Sequence, residues 1–195
     1  MHRRFFVLAG LAALTASPAL AEAPRPTRKR GFNFNLGLPA RTRYRGRKVV
    51  EYASSEKPGT IVVDTRKRTL FYVLPERRAI AYGVGVGREG FTWSGVARVG
   101  RKAEWPRWIP PPEMVARDPL AAQFAEGMPG GRNNPLGARA LYLFQGNADT
   151  LFRIHGTREP WTIGYAVSSG CIRMLNREVI DLYQRVEVGT KVIVL

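Results

Sequence analysis

Residues 60–86 read TIVVDTRKRTLFYVLPERRAIAYGVGV, and this stretch decides the fold class. It contains three runs of β-branched, aromatic and small apolar residues, at 60–63, 69–74 and 79–86, which short polar turns separate. Apolar runs of this length between turn residues predict strands, and three in close succession predict a β-meander. Because the chain lacks the regular alternation of strands with helices, the sequence predicts a mostly β (α+β) domain and not a parallel sheet.

Apolar patterns further along the chain predict more strands and one main helix. The strands are expected at 138–144, 151–154 and 191–195. The helix is expected between the last two, because four apolar residues recur there at spacings that share one helical face. Asn176 is its predicted N-cap and Gly189 its predicted C-cap. The four residues are Val179, Leu182, Tyr183 and Val186.

Two other segments carry no such pattern. Residues 100–134 are broken by tryptophans and prolines, and they predict a long structured loop or lid. Residues 83–87 read GVGVG, but no helix-forming sequence follows them. A phosphate-binding glycine loop must open a helix, so this stretch indicates the end of a glycine-rich strand instead.

The first 21 residues predict export. They combine a short basic start, an apolar run and Ala19-Leu20-Ala21, as a cleavable secretory signal does. Arg3-Arg4 leaves the general secretory and the twin-arginine routes both open. No later segment approaches the roughly twenty apolar residues that a membrane helix needs. The expected location is therefore the periplasm or cell envelope.

The chain is strongly basic, with 31 Lys and Arg against 15 Asp and Glu and a formal net charge of +16. Residues 22–58 hold many of the cations and several prolines, and they predict an extended, mostly disordered basic arm. Residues 59–195 then form the folded domain. Export argues against nucleic acid as the partner, so the arm either contacts the anionic wall or membrane or is a solvated linker.

Cys171 is the only cysteine of the chain, and His155 is the only histidine after the predicted signal. One residue of each type cannot make up a zinc ligand set, so neither a metal nor another cofactor is expected. A single thiol in an oxidising compartment is a buried hydrophobe, an intermolecular partner or a reactive group. His155 is correspondingly either a satisfied core histidine or a base.

The sequences around these two residues favour chemistry. In Ser168-Ser169-Gly170-Cys171 the thiol follows a glycine at the end of a small polar turn, where backbone N–H groups can converge. Such groups lower the pKa of a thiol and can hold the oxyanion of an acyl-transfer intermediate. His155 stands where a strand gives way to a loop, and there it can accept the proton of the thiol and return it to a leaving amine.

Three linked motifs resemble the L,D-transpeptidase catalytic domain, also called YkuD. They are NPLGARALY at 134–142, HGT at 155–157 followed by Pro160-Trp161 and Ile163-Gly164, and SxGCIRM at 168–174. The resemblance runs in order from about residue 59 to residue 195. It implies a β-sandwich or barrel, with peptidoglycan stem peptides as donor and acceptor and carbapenem-type β-lactams as inhibitors.

The resemblance also implies a mechanism. The thiolate of Cys171 attacks the carbonyl of the third stem residue and expels D-Ala, and an amine of a neighbouring stem resolves the thioester. His155 donates and accepts the proton, oriented by the backbone carbonyl of Gly156. Ser169 and Gly170 form the pocket or oxyanion hole, and Ser169 stands where the family usually has His or Asn, which bears on the choice of acceptor. The implied substrate-binding residues are Arg173, Trp161 and Tyr142.

Several alternatives stay open at the level of sequence. Arg173 can equally form a structural salt bridge. The same acyl-enzyme can transfer to water, as in an L,D-carboxypeptidase, or to an amine of a protein that becomes attached to the wall. In a different class, the domain is a wall-binding module whose cysteine is inert.

Overall fold

The computed structural model of the protein describes residues 44, 46–89 and 93–195. The helices in this part are α1 (Pro112–Arg117), α2 (Pro119–Ala122) and α3 (Asn176–Arg185), and a single 3-10 turn covers Pro160–Thr162. The strands are β1 (Lys48–Glu51), β2 (Ile61–Asp64), β3 (Thr69–Leu74), β4 (Arg78–Gly83), β5 (Val86–Gly87), β6 (Gly95–Glu104), β7 (Arg139–Gln145), β8 (Ala148–His155), β9 (Ala166–Ser168), β10 (Ile172–Arg173) and β11 (Lys191–Val194).

The strands form one large sheet and one small one. The large sheet has the order β1-β4-β3-β2-β11-β6-β7-β8-β10, and β5 pairs with β9. Strands β2, β3 and β4 pair antiparallel in sequence order, which is the predicted meander. The C-terminal β11 lies parallel to β2 and antiparallel to β6, so it joins the meander to the half of the sheet that contains β7 and β8. The prediction of a mostly β fold is confirmed.

The core lies on one face of β7 and β8, under α3. Side chains alternate between the two faces of a strand, and Leu141, Leu143 and Ile154 are at most 1% exposed. Helix α3 packs against both strands and places Val179 and Leu182 in the same hydrophobic cluster. The residues between these core positions therefore lie on the opposite face, where the predicted site residues are found.

The prediction of a loop over 100–134 is wrong at its start and in its middle. Gly95–Glu104 forms the ten-residue strand β6, which pairs with both β7 and β11, and α1 and α2 occupy part of 112–122. Strand β6 is hard to recognise from its sequence, GVARVGRKAE, because only Ala97 and Val99 among its residues are buried. A strand with so few buried positions lacks the apolar run by which strands are recognised.

The helix predicted near the C-terminus is present, but its predicted caps are wrong. Leu175 occupies the N-cap position and makes no side-chain capping bond, and Asn176 is the first helical residue. The helix ends at Arg185 with Val186 as its C-cap. Gly189 instead forms the turn before β11, with a φ of +98° that favours glycine.

The folded part begins before residue 59. Residues 48–51, within the predicted disordered arm, form β1 and pair antiparallel with β4, so the prediction of disorder is wrong there. The Tyr44 hydroxyl and the Arg47 N–H both donate to Glu178 of α3, at 2.9 Å. Residues 1–43, which include the predicted signal peptide and most of the arm, lie outside the described residues. No helix among the described residues is long and apolar enough to cross a membrane.

Candidate active site

Strands β8 and β10 bring the two predicted reactive residues into one neighbourhood. They pair in parallel, with Arg173 opposite His155 and Ile172 opposite Ile154. Cys171 directly precedes β10, and its Sγ lies 4.0 Å from the carbonyl oxygen of Leu151 on β8. The thiol and the imidazole therefore belong to adjacent, paired segments at one edge of the large sheet.

The turn that carries Cys171 is organised by Ser168. Its hydroxyl donates to the carbonyl of Cys171 at 2.7 Å and accepts from the N–H of Gly170 at 3.2 Å. Gly170 has a φ of +117°, in the left-handed region that favours glycine. Ser168 is buried at the end of β9, whereas Ser169 is exposed. The turn is thus fixed from inside by Ser168, and Ser169 is left facing the surface.

The imidazole of His155 has a defined tautomer. Its Nδ1 lies 2.6 Å from the carbonyl oxygen of Gly156. A carbonyl can only accept, so Nδ1 carries the hydrogen, and Nε2 of the neutral ring is left as the acceptor. His155 is only 4% exposed, which holds the ring in this arrangement. The structure therefore shows the contact between His155 and Gly156 that the resemblance implies.

The pKa of His155 and the pKa of Cys171 are both shifted in the direction that favours the neutral form of the side chain. Burial, together with the positive charge of Arg173, lowers the pKa of His155 to about 4. The carbonyls of Gly156 and Leu136 act in the opposite direction. Burial also raises the pKa of the Cys171 thiol, against the charges of Arg153 and Arg173, which lower it. Both shifts therefore favour a thiol and a neutral imidazole over a thiolate–imidazolium pair.

Arg173 forms an ion pair within the protein. Its Nη1 lies 2.8 Å from Oε2 of Glu159, and its backbone N–H and carbonyl both bond to Gly85. The structure thus contains the salt bridge that was the alternative to carboxylate binding. Substrate contact by Arg173 stays a prediction.

Three side chains form a row beside the site. Tyr142 of β7 pairs with Arg101 of β6 and with Arg153 of β8, and the two guanidinium carbons lie 3.6 and 4.4 Å from the centre of its ring. Arg153 also forms a bidentate pair with Asp149, at 2.6 and 2.8 Å. Tyr142 is 7% exposed, so it packs between two cations here, and its predicted contact with substrate is untested.

Comparison with known proteins decides the family. The sequence profile of the L,D-transpeptidase catalytic domain (YkuD) matches residues 58–194. The chain belongs to the L,D-transpeptidase family.

One curated relative and two solved structures show the range of this similarity. The chain is 35% identical over 141 residues to ErfK/SrfK of Escherichia coli K12, which is named a probable L,D-transpeptidase. The match covers 68% of this chain and 42% of the relative, so the chain spans less than half of the relative's length. A Brucella melitensis crystal structure, named a probable carnitine operon oxidoreductase caia, has a TM-score of 0.55 and 51% identity over 80% of this chain and 96% of that one. L,D-transpeptidase 3 of Mycobacterium tuberculosis with a faropenem-derived adduct shares the fold at a TM-score of 0.51 and 17% identity, over 70% and 60%.

Asn176, which the sequence predicts only as a helix cap, has a structural role in this L,D-transpeptidase domain. Its Oδ1 accepts from the N–H groups of Ala138 and Thr157, at 3.0 and 3.2 Å, and its Nδ2 donates to the carbonyl of Thr157 at 3.0 Å. A Cβ on Gly137 or Gly156 would lie about 2 Å from that oxygen. Asn176 therefore ties the NPLGARALY and HGT motifs together, and both glycines are needed for its approach.

Asn134 plays a similar part for the segment before β7. It is completely buried, its Nδ2 donates to the carbonyls of Pro106, Met128 and Pro129, and its Oδ1 accepts from the Leu136 N–H at 2.8 Å. The remaining predicted residue, Trp161, lies on the 3-10 turn and is 48% exposed.

No group of three or more potential metal ligands occurs in the part of the chain that the structure describes.

The two serines before Gly170 allow a matched test of the turn. Replacing Ser168 with Ala removes both bonds of a buried hydroxyl, so we expect the free energy of unfolding to fall by about 1–3 kcal/mol. With Cys171 as the nucleophile that the resemblance implies, its acylation should also slow by on the order of tenfold, because a misplaced nucleophile loses the benefit of orientation. Denaturant titration and the rate of β-lactam adduct formation measure the two effects. Ser169→Ala is the control, with an expected change of less than about 0.5 kcal/mol. Equal effects of the two changes would contradict the role of Ser168.

Proposed function

We propose that this protein is an exported L,D-transpeptidase that cross-links peptidoglycan through a thioester on Cys171. The observation that carries the proposal is the 2.6 Å bond between Nδ1 of His155 and the Gly156 carbonyl, on a strand paired with the segment that follows Cys171. This bond leaves Nε2 as a base on the neutral ring. A nucleophile beside a base whose orientation is fixed by a third group is the pattern of covalent acyl transfer.

The first half of the reaction forms the thioester. Nε2 of His155 takes the proton of the Cys171 thiol while Sγ attacks the carbonyl carbon of the third stem residue. The C–N bond to the terminal D-Ala then breaks, and His155 returns the proton to the departing amine. The Gly170 N–H is already bonded to Ser168, so we assign the oxyanion to the N–H of Cys171, and Gly170 supplies the left-handed backbone conformation of the turn.

The second half transfers the acyl group to an amine. The amine of a neighbouring stem attacks the thioester carbon, a C–N bond forms, the C–S bond breaks, and the amine proton passes through His155 to Sγ. Water or a protein amine as acceptor would use the same acyl-enzyme and differ only in the product. The faropenem-derived adduct of the Mycobacterium tuberculosis enzyme supports the related proposal that β-lactams acylate Cys171 here.

Intact-mass measurement after treatment with a carbapenem or faropenem tests the nucleophile. We expect the wild-type protein to gain one stable adduct and Cys171→Ala to gain none. Ser55→Ala, at an exposed serine between β1 and β2, is the control and should gain the adduct as wild type does. Tetrapeptide muropeptides should then give dimers that lack D-Ala, whereas a carboxypeptidase would give monomeric tripeptides. A wild-type protein with neither adduct nor product would contradict the proposal and favour the alternative of a wall-binding module whose cysteine is inert.

A further inference from the structure

Strand β8 contains a backbone conformation that the chemistry described above does not use. Leu151 has a φ of +63°, in the left-handed region that residues with a Cβ rarely adopt. Four other non-glycine residues of the described part have such a φ, but they lie in turns or directly beside a strand end, whereas Leu151 lies inside a strand. Its side chain is 75% exposed, so packing does not impose this conformation.

The conformation belongs to a β-bulge. Strand β7 advances by two residues from Tyr142 to Phe144, while their partners on β8, Arg153 and Asp149, are four residues apart. Strand β8 therefore contains two extra residues around Leu151. Bulges of this kind bend a strand and redirect the groups that it carries, and they are frequent beside active sites.

Two side chains of β8 hold the bulge in place. Oδ1 of Asp149 accepts from the N–H of Leu151 at 2.9 Å. The Thr150 hydroxyl donates to the carbonyl of Leu143 at 2.7 Å and accepts from the N–H of Phe152 at 3.2 Å. These side chains bond to backbone groups that the interrupted ladder leaves without regular partners. The bulge is therefore a defined structure with its own set of hydrogen bonds.

The bulge places the carbonyl of Leu151 beside the thiol. Sγ of Cys171 lies 4.0 Å from this oxygen, within the range of a hydrogen bond donated by sulfur. Pairing between β8 and β10 covers only Ile154 and His155 of β8, so this contact lies beyond the ladder. The contact therefore depends on the backbone conformation at Leu151 and not on strand pairing.

We propose that Leu151 is a positioning residue, whose main-chain carbonyl holds the S–H group of Cys171 in the resting enzyme. This role rests on the proposed function and goes beyond it by giving the thiol a second hydrogen-bond partner. While the carbonyl accepts from S–H, the hydrogen stays on sulfur and Sγ has a fixed direction. For attack on the donor, S–H leaves the Leu151 oxygen and is donated to Nε2 of His155, which then takes the proton.

The charged groups around the thiol predict what loss of this contact does. Burial raises the pKa of Cys171, and the charges of Arg153 and Arg173 lower it. Asp149 is bound by Arg153, at 2.6 and 2.8 Å, and His155, with a pKa of about 4, stays neutral above pH 6. None of these groups is altered by a substitution inside the bulge. A carbonyl that accepts from S–H favours the neutral thiol, so loss of the contact should lower the pKa of Cys171.

Alkylation of Cys171 by iodoacetamide tests this role, because its rate follows the thiolate and requires no bound substrate. Leu151→Val keeps an apolar side chain, but a β-branched residue opposes the left-handed conformation. We expect the rate at pH 7 to rise by about twofold to fourfold and the pH midpoint of alkylation to fall, as the loss of one hydrogen bond implies. Acylation by a β-lactam should instead slow by on the order of tenfold, because the thiol is no longer oriented.

Leu151→Asn is the matched variant, since asparagine tolerates the left-handed conformation but lacks the apolar side chain. It should keep the wild-type pH midpoint of alkylation and raise the melting temperature by about 1–3 °C. Leu120→Val makes the same change at an exposed leucine of α2 and should be alkylated as the wild type is. If Leu151→Val does not fold, Thr150→Val, which removes the hydroxyl that holds the bulge, should give the same shift.

The outcomes of these experiments are distinguishable. An unchanged pH midpoint in the folded valine variant would overturn the role of the carbonyl. An equal shift in Leu151→Asn would overturn it as well, because the side chain would then be responsible. Alkylation as expected in a protein that forms no β-lactam adduct would contradict the proposed function and leave the contact between Leu151 and Cys171 in place.

Discussion

Replacing His155 with Gln is expected to lower the rate of Cys171 acylation by about 10²–10⁴-fold, the usual contribution of a positioned general base. The Gln amide can still donate to the Gly156 carbonyl in place of Nδ1, which lies 2.6 Å from it in the wild type. It offers no basic nitrogen where Nε2 stands. Because burial raises the pKa of the thiol, Cys171 has little thiolate of its own at neutral pH to make up for the loss.

The rate of β-lactam adduct formation at pH 7 measures this effect, and its pH dependence tests the cause. With a pKa of about 4, the His155 imidazole of the wild type is already unprotonated at pH 5–6. The rate of adduct formation should therefore show no fall caused by His155 as the pH is lowered through about 6.5, the ordinary pKa of histidine. Circular dichroism should show the variant folded. A folded His155→Gln protein that reacts within threefold of wild type would remove His155 from the mechanism.

Much of the fold could be predicted because the residues of its central strands are themselves typical of β-strands. β3 was predicted with the bounds it has, since every residue of TLFYVL suits a pleated strand between turns. β6 could not be found in this way. Its residues are mostly small or basic, and it is a strand because β7 and β11 supply hydrogen-bond partners on both sides. Those partners lie roughly 40 to 100 positions away in the sequence, so no local sequence pattern predicts the pairing.

The site shows the same division between local and long-range information. The contact between His155 and the Gly156 carbonyl follows the resemblance, which rests on linked motifs, and the catalytic roles of His155 and Cys171 stay predictions. The role of Asn176 could not be predicted, because it bonds to residues 19 and 38 positions earlier. Its position at the start of a helix made a capping role the local expectation. Asn176 is instead the first helical residue, and its side chain bonds to distant backbone groups and not to the start of its own helix.

The buried imidazole also makes the stability of the domain depend on pH. His155 has an ordinary pKa of about 6.5 when unfolded and about 4 when folded, so between these values the unfolded chain binds a proton that the native state does not. The contribution of His155 to stability is therefore complete above pH 6.5 and is lost as the pH falls towards 4. At about 1.4 kcal/mol per pH unit, the free energy of unfolding should fall by about 3 kcal/mol over this window, with no further loss from His155 below it.

Denaturant titrations of wild type and His155→Gln at pH 7, 6, 5 and 4 isolate this contribution. Other groups titrate as well: the pKa of Glu178 is raised by burial, which acts in the opposite direction, and the pKa of Asp181 is lowered despite burial, by its bonds to Arg185 and Tyr82. They are present in both proteins and cancel in the difference. The gap in stability between the two proteins should therefore narrow by about 3 kcal/mol from pH 7 to pH 4 in favour of the variant. A constant gap would mean that the native and unfolded proteins share one pKa for His155, and the lowered pKa of the buried imidazole would be wrong.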